Sequence, residues 1–401
     1  QVKYRRQTQA GMNGRGVITA RPLREPVECG HMRPGVILRK ALTICAAWLA
    51  QAVHAALPKG NKAVITGQPD YCDDVLATEE AMRRTSLHKV VILVSSGKLP
   101  PTKPGFPELG AKTLVAKRKS VRGVWHALTA KYVFFTHSFI VPRFPASVVS
   151  TNLWHGMPVK RVGWMTESGK KLTKARYAPA TSPFWAGIIQ RSLRPKDGTL
   201  VTGLPRNDRL LLEERGVVER LGYPPGSGVR LIVLLPTHQL AGEGQARVRH
   251  CLQPLGLDVD SLKRIDQMLA GQGAVMVVKP HPWAAGEDMP DSSHIRVVTD
   301  DWLRQEGLTL HELLGESCAL VTDISSVYVD YLILDRPIVH HFPNIRMYGL
   351  DRGYSISPID DYLAGPLTLE SEGFAQALSS VLSGEDTHAD QRRRVRALFH
   401  R

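Results

Sequence analysis

Short apolar runs separated by helical patterns recur along this chain, and that alternation constrains its fold more than any other feature. Ala63–Thr66, Val90–Ser95, Thr113–Ala116 and Tyr132–Thr136 read as strands, with helices at Asp74–Thr85 and Val121–Ala130. A second series begins near Leu200. Its strands are Leu231–Leu235, Val275–Val278, Ile295–Val298, Ala319–Thr322 and Ile338–His341, and its helices lie near Leu262–Ala270, Leu308–Leu314 and Val327–Leu334. Strands that alternate with helices build βαβ units and parallel sheets. The chain is therefore expected to be α/β, with two doubly wound, Rossmann-like domains facing across a cleft.

A polar breaker, Pro195-Lys196-Asp197-Gly198, separates the two series and predicts a linker there. The expected division is a loose basic arm over 1–35, an N-terminal domain over 36–197 and a C-terminal domain over 198–401. The second region opens on Val36–Leu57, which reads as an apolar helix, and in the third Phe374–Leu382 and Asp390–His400 read as closing helices. The longest apolar stretch, Ala41–Leu57, is interrupted by Thr43, Gln51 and His54. It falls short of the ~20 residues a membrane-spanning helix needs.

Charge is unevenly placed. Residues 1–200 hold 32 Lys+Arg against 10 Asp+Glu, whereas residues 201–401 hold 20 against 27. Such a basic half predicts a polyanionic partner, nucleic acid or an anionic lipid surface, beside the plainer reading of a solvated face. The Arg392-Arg393-Arg394-Val395-Arg396 tail has no nucleic-acid motif beside it and fits an exposed helix face. The five cysteines, Cys29, Cys45, Cys72, Cys251 and Cys318, are scattered and never spaced as C-x-x-C, which argues against a disulfide framework or zinc cage. The basic, polar N-terminus does not read as a secretory signal. A reducing, cytoplasmic setting is expected.

Doubly wound sheets bind ligands beyond the carboxyl ends of their strands. At one such end, Thr322-Asp323-Ile324-Ser325-Ser326 lies between an apolar strand and a helical pattern. Free amides, the helix dipole and hydroxyls together suit a phosphate, although a serine there also serves as a plain helix cap. At another, Lys279-Pro280-His281-Pro282 follows Val275–Val278, and its prolines restrict the backbone around His281. A histidine so held can donate to a phosphate or protonate a leaving group, but a lone loop histidine is commonly just surface. A third, Trp154-His155-Gly156, sets an imidazole between a bulky aromatic and a residue that permits close approach. On its own the fragment reads more simply as a core tryptophan beside a turn. Gly163 to Lys170 lacks phosphate-loop spacing, and Lys171 stands where a Ser or Thr would be needed.

These fragments occur in order with others: Trp154-His155-Gly156, Gly203-Leu204-Pro205-Arg206-Asn207-Asp208, Pro236-Thr237, Lys279-Pro280-His281-Pro282, Thr322-Asp323-Ile324-Ser325-Ser326 and Arg352-Gly353. In this pattern the chain resembles the CDP-glycerol glycerophosphotransferases of teichoic-acid and capsule synthesis, over about Asn61 to Leu382. Asp73-Asp74 resembles that family's Asp-Asn before its first helix. The resemblance implies a glycosyltransferase-B fold with the acceptor domain first, the CDP-donor domain second, and a C-terminal helix returning across the cleft. Two departures stand out. His238-Gln239 follows Pro236-Thr237 where many members carry an Arg or aromatics, and Val339-His340-His341-Phe342 replaces a tyrosine-rich strand. The polyol is left open.

The resemblance further implies transfer of glycerol phosphate or ribitol phosphate from a CDP-polyol to a hydroxyl of a lipid-linked or polymeric acceptor, with CMP released. Expected catalytic residues are His155 as general base, His281, and Asp323 as an orienting group. Donor contacts are expected from Arg206, Lys279, His281, Thr322, Ser325, Ser326 and Arg352. No metal-ligand spacing stands out, no tightly bound cofactor is expected, and an anionic membrane face is the expected location. The rivals are another nucleotide-sugar-dependent glycosyltransferase-B enzyme or epimerase, and a basic nucleic-acid-binding protein.

Overall fold

Uninterrupted runs of Val, Ile and Leu make strands buried on both faces, as parallel sheets require. The computed structural model describes residues 49, 51–95, 107–166, 172–212, 216–236, 252, 255–280 and 292–401. Two compact units are present, Gln1–Ala50 and Gln51–Arg401. Of the first, Leu49 alone is described, and it is helical and exposed. The expected arm over 1–35, most of the expected Val36–Leu57 helix, and His281 lie outside the described residues.

The second unit carries two sheets. Strands β1 (Gly60–Thr66), β2 (Lys89–Val94), β3 (Thr113–Lys117), β4 (Ala130–Phe135), β5 (Val149–Asn152), β6 (Tyr177–Ala180) and β7 (Gly198–Val201) form the first, in the order β3-β2-β1-β4-β5-β6-β7. Strands β8 (Arg230–Leu235), β9 (Ala274–Val278), β10 (Ile295–Val297), β11 (Ala319–Thr322), β12 (Ile338–His341) and β13 (Leu367–Thr368) form the second, in the order β10-β9-β8-β11-β12-β13. All pairings between these strands are parallel. This is the expected doubly wound α/β architecture. Strand order reverses between β1 and β4 in one sheet and between β8 and β11 in the other, and such switch points open the crevices where ligands bind.

Residues 195–198, read from sequence as a linker, instead lead into β7, which pairs with β6 in the first sheet. The chain crosses between the sheets over 202–229.

One apolar cluster runs through both halves, from Trp154 and Trp185 to Tyr328 and Phe399. Backbone bonds reinforce it: Ser355 N–H donates to the Val159 carbonyl at 2.9 Å and Arg161 N–H to the Gly353 carbonyl at 3.1 Å. The last helix, Ala389–Phe399, buries Val395 and Phe399, and the Phe399 carbonyl accepts from the Thr181 hydroxyl at 2.6 Å. This helix therefore packs on the first half.

Candidate active site

The loop after β5 is shaped by its own side chains. Asn152 Oδ1 accepts the Trp154 N–H at 3.0 Å, Trp154 adopts φ +58° and Gly156 φ +117°. Trp154 is thereby buried while His155 is exposed. The His155 ring lies 4.2 Å from that of Trp154 and stacks on His137, with centroids 4.5 Å apart and planes at 14°. His137 follows β4 at the switch point of the first sheet, and its Nδ1 is 2.8 Å from the Thr136 hydroxyl. Burial, and secondarily the charge of Arg118, lower the pKa of His137, so at neutral pH His155 stacks on an uncharged ring.

The loop after β11 meets this one. Ser326 Oγ donates to the His155 carbonyl at 3.5 Å. A side chain at Gly156 would overlap Arg206 Nη2 and bring its Cβ within 2.7 Å of Ser326 Oγ, so glycine is required by space as well as by φ. Ser325 Oγ accepts the Val327 N–H at 3.5 Å, and the Thr322 hydroxyl donates to the Leu235 carbonyl at 2.8 Å. Asp323 is buried beside them. Its carbonyl lies 2.9 Å from His340 Nδ1, while His340 Nε2 accepts the Ala364 N–H at 3.2 Å. That pattern fixes the tautomer with the proton on Nδ1. Burial lowers the His340 pKa to about 4, with the Asp323 carbonyl opposing it.

The structure therefore brings His155, Ser326 and Arg206 together, with Asp323 and Ser325 on the same loop as Ser326 and Thr322 at the end of the strand before it. Two of the sequence candidates pair with carboxylates of the protein itself. Lys279 is buried and pairs with Asp300 at 2.8 Å. Arg206, expected to reach an anion, is buried with its guanidinium paired to Asp330 and 4.0 Å from Asp74. Arg352 is exposed at the end of the helix Ile345–Asp351. His340 and His341, which replace the tyrosine-rich strand, are fully buried, and His341 Nε2 lies 2.8 Å from the Leu255 carbonyl. Sequence reasoning missed His137, whose only local signal is its place directly after an apolar strand. Among the described residues no group of three or more His, Cys, Asp or Glu is arranged to hold a metal, and no helix is long and apolar enough to cross a membrane.

Comparison with known proteins agrees with this architecture. A teichoic acid poly(glycerol phosphate) polymerase of Bacillus spizizenii is 25% identical over 289 residues, 65% of this chain and 69% of the relative. A teichoic acid ribitol-phosphate primase of the same organism is 25% identical over 222 residues, 54% of this chain and 51% of the relative. A teichoic acid glycerol-phosphate transferase of Staphylococcus aureus is 24% identical over 276 residues, 62% of this chain and 64% of the relative. A solved structure of the wall teichoic acid polymerase TagF superposes with a TM-score of 0.69 at 18% identity, over 90% of this chain and 92% of that one, and so shares the fold. Residues 50–401 match the family model for CDP-glycerol:poly(glycerophosphate) glycerophosphotransferases, and the chain belongs to that family.

Proposed function

We propose that this chain transfers glycerol phosphate or ribitol phosphate from its CDP ester to a hydroxyl of a lipid-linked or polymeric teichoic-acid-type acceptor. The acceptor oxygen bonds to the polyol-bearing phosphorus, the bond from that phosphorus to the bridging oxygen breaks, and CMP leaves with the electron pair. The acceptor proton passes to His155. Because little covalent chemistry falls to the protein, catalysis rests on alignment and on neutralising the phosphoryl oxygens. The Ser325 and Ser326 hydroxyls and the neighbouring amides stabilise those oxygens, with His281 and Arg352 as further donors. Asp323 orients the loop. The contact between Ser326 Oγ and the His155 carbonyl carries the reading, since it joins the loop that bears His155 on one half to the loop that bears Ser325 and Ser326 on the other. Work at an anionic membrane face fits the basic first half of the sequence.

The test incubates the full chain with CDP-glycerol, CDP-ribitol and UDP-sugars in turn, with a lipid-linked disaccharide, and weighs the products. Mass gain from a CDP-polyol alone is expected. His155→Ala should lower turnover by ~10² to 10⁴ while leaving calorimetric CDP affinity within a few-fold. A paired Ser325→Ala, Ser326→Ala change should weaken CDP binding instead. Transfer from UDP-sugars, or near-normal turnover in His155→Ala, would overturn the reading.

A further inference from the structure

Beneath the site lies a buried cluster of ionisable side chains drawn from distant parts of the chain. Arg206 lies in the first turn of the 3-10 helix Pro205–Leu211, on the segment crossing between the sheets. Asp73 and Asp74 begin the helix Asp73–Arg83, His311 lies on the helix Leu310–Glu316, and Asp330 lies on the helix Val327–Tyr331. All five are buried. His311 Nδ1 lies 3.1 Å from Asp73 Oδ2, and its Nε2 lies 3.6 Å from the Asp330 oxygen that pairs with Arg206. Burial opposes the charge on Arg206, but Asp330 and Asp74 outweigh it. Burial likewise pushes the Asp74 carboxyl up to about 7, against the pull of Arg206 and His311.

A buried ion network is weak evidence for stability, because well-packed apolar residues commonly serve as well. Position makes this one informative. The guanidinium stands against the backbone of Gly156, where even a Cβ would overlap it. Its partner Asp330 follows Ser326 by one helical turn, so the two side chains lie along one face. A single ion pair therefore touches both walls of the site: the loop that presents His155 and the element that presents Ser326.

We propose that Arg206, clamped by Asp330, is a positioning residue of the transfer reaction, acting through the Gly156 backbone to hold His155 in register with the Ser325-Ser326 loop and touching no substrate. This rests on the assignment of His155 as the base. It departs from the sequence expectation that Arg206 binds the donor anion, and the two roles differ in what they do to CDP affinity. A positioning residue lowers the rate of the chemical step at unchanged ground-state binding, and displacement by about an ångström can cost ~10² in rate. A ligand of the diphosphate lowers affinity directly.

The experiment compares the wild-type chain, Gly156→Ala, Arg206→Lys and Asp330→Asn for kcat and KM with CDP-glycerol, for calorimetric CDP affinity, and for the thermal midpoint. Gly156→Ala keeps every charge and displaces the guanidinium while also straining the backbone at φ +117° and crowding Ser326 Oγ, whereas Arg206→Lys leaves Gly156 and Ser326 untouched, keeps the charge and removes the planar fork. Each folded variant should show kcat reduced by about 10²-fold, with CDP affinity and KM within about three-fold of wild type. A tenfold or larger loss of CDP affinity in Arg206→Lys would make Arg206 a ligand and overturn the proposal. So would wild-type kcat in folded Gly156→Ala or, should that variant not fold, in Arg206→Lys. If the wild-type chain itself transfers nothing from any CDP-polyol, the reading of the reaction fails, and this one with it. Wild-type transfer beside an unaffected Gly156→Ala sinks this one alone.

Discussion

Truncating Phe399 tests whether the final helix ties the two halves into one folding unit. Phe399 is fully buried. Its ring lies 4.8 Å from Trp185, 5.4 Å from Phe184, 6.0 Å from Tyr362 and 6.3 Å from Tyr328, so aromatics of both halves surround it. Phe→Ala in such settings costs ~3 to 5 kcal/mol, the larger values where the surroundings cannot collapse into the space. Here the lining is rigid aromatic rings, Trp185 and Tyr328 among the largest fully buried side chains, and refilling by rotamer change is restricted. We expect a loss of about 4 kcal/mol for Phe399→Ala. Loss of the ring should also loosen the 2.6 Å bond from the Thr181 hydroxyl to the Phe399 carbonyl, freeing the helix end from the first half. Urea unfolding followed by tryptophan fluorescence measures the cost, and calorimetry shows whether one transition becomes two. A cost below about 1 kcal/mol, within the range of ordinary surface substitutions and small repackings, would refute the reasoning.

Burial alone would lower the pKa of His311, but the carboxylates of Asp73 and Asp330 outweigh it and raise it to about 9. Its stabilising contribution is therefore fully present below the ordinary value of about 6.5 and is lost as pH rises through about 9. The thermal midpoint of the wild type should fall across that window, and His311→Gln should flatten the fall; equal slopes in the two proteins would count against a charged His311. At Gly365 an added Cβ would overlap the backbone carbonyl oxygen of Ile338, which cannot rotate away. Gly365→Ala should cost ~1 to 3 kcal/mol or more by prising β12 from the connection to β13, and an unchanged thermal midpoint would contradict that packing.

Where apolar runs are long and dense, sequence and structure agree closely: β1, β2, β8, β9 and β11 fall where Val, Ile and Leu cluster, because burial on both faces demands it. The first sheet's far edge was not legible for a local reason. Strand β5 is Val149-Ser150-Thr151-Asn152, polar at three of its four positions, and β6 contains Pro179, which ordinarily argues against a central strand. The ladder between β5 and β6 is a single pair, Thr151 with Tyr177, so the proline disrupts little there. Once those strands are missed, Pro195–Gly198 reads as a linker rather than the approach to β7.

The site divides along a different line. The Trp154-His155-Gly156 and Thr322–Ser326 fragments could be picked out because each follows a strand, and strand ends converge in doubly wound sheets. Their meeting, with Ser326 and His155 171 positions apart, follows from that convergence. Arg206 reads in the sequence as an anion contact because residue type shows there and burial does not. Its partner Asp330 lies 124 positions away on a helix whose apolar pattern gives no hint of a carboxylate turned inward. Charge in a motif marks a place where charge is needed; only packing tells whether the counter-charge is the substrate or the protein itself. For Arg206 the counter-charge is Asp330, and the glycine it presses on belongs to the loop that presents His155. This is why a residue that the sequence assigns to binding is better tested through the rate of transfer.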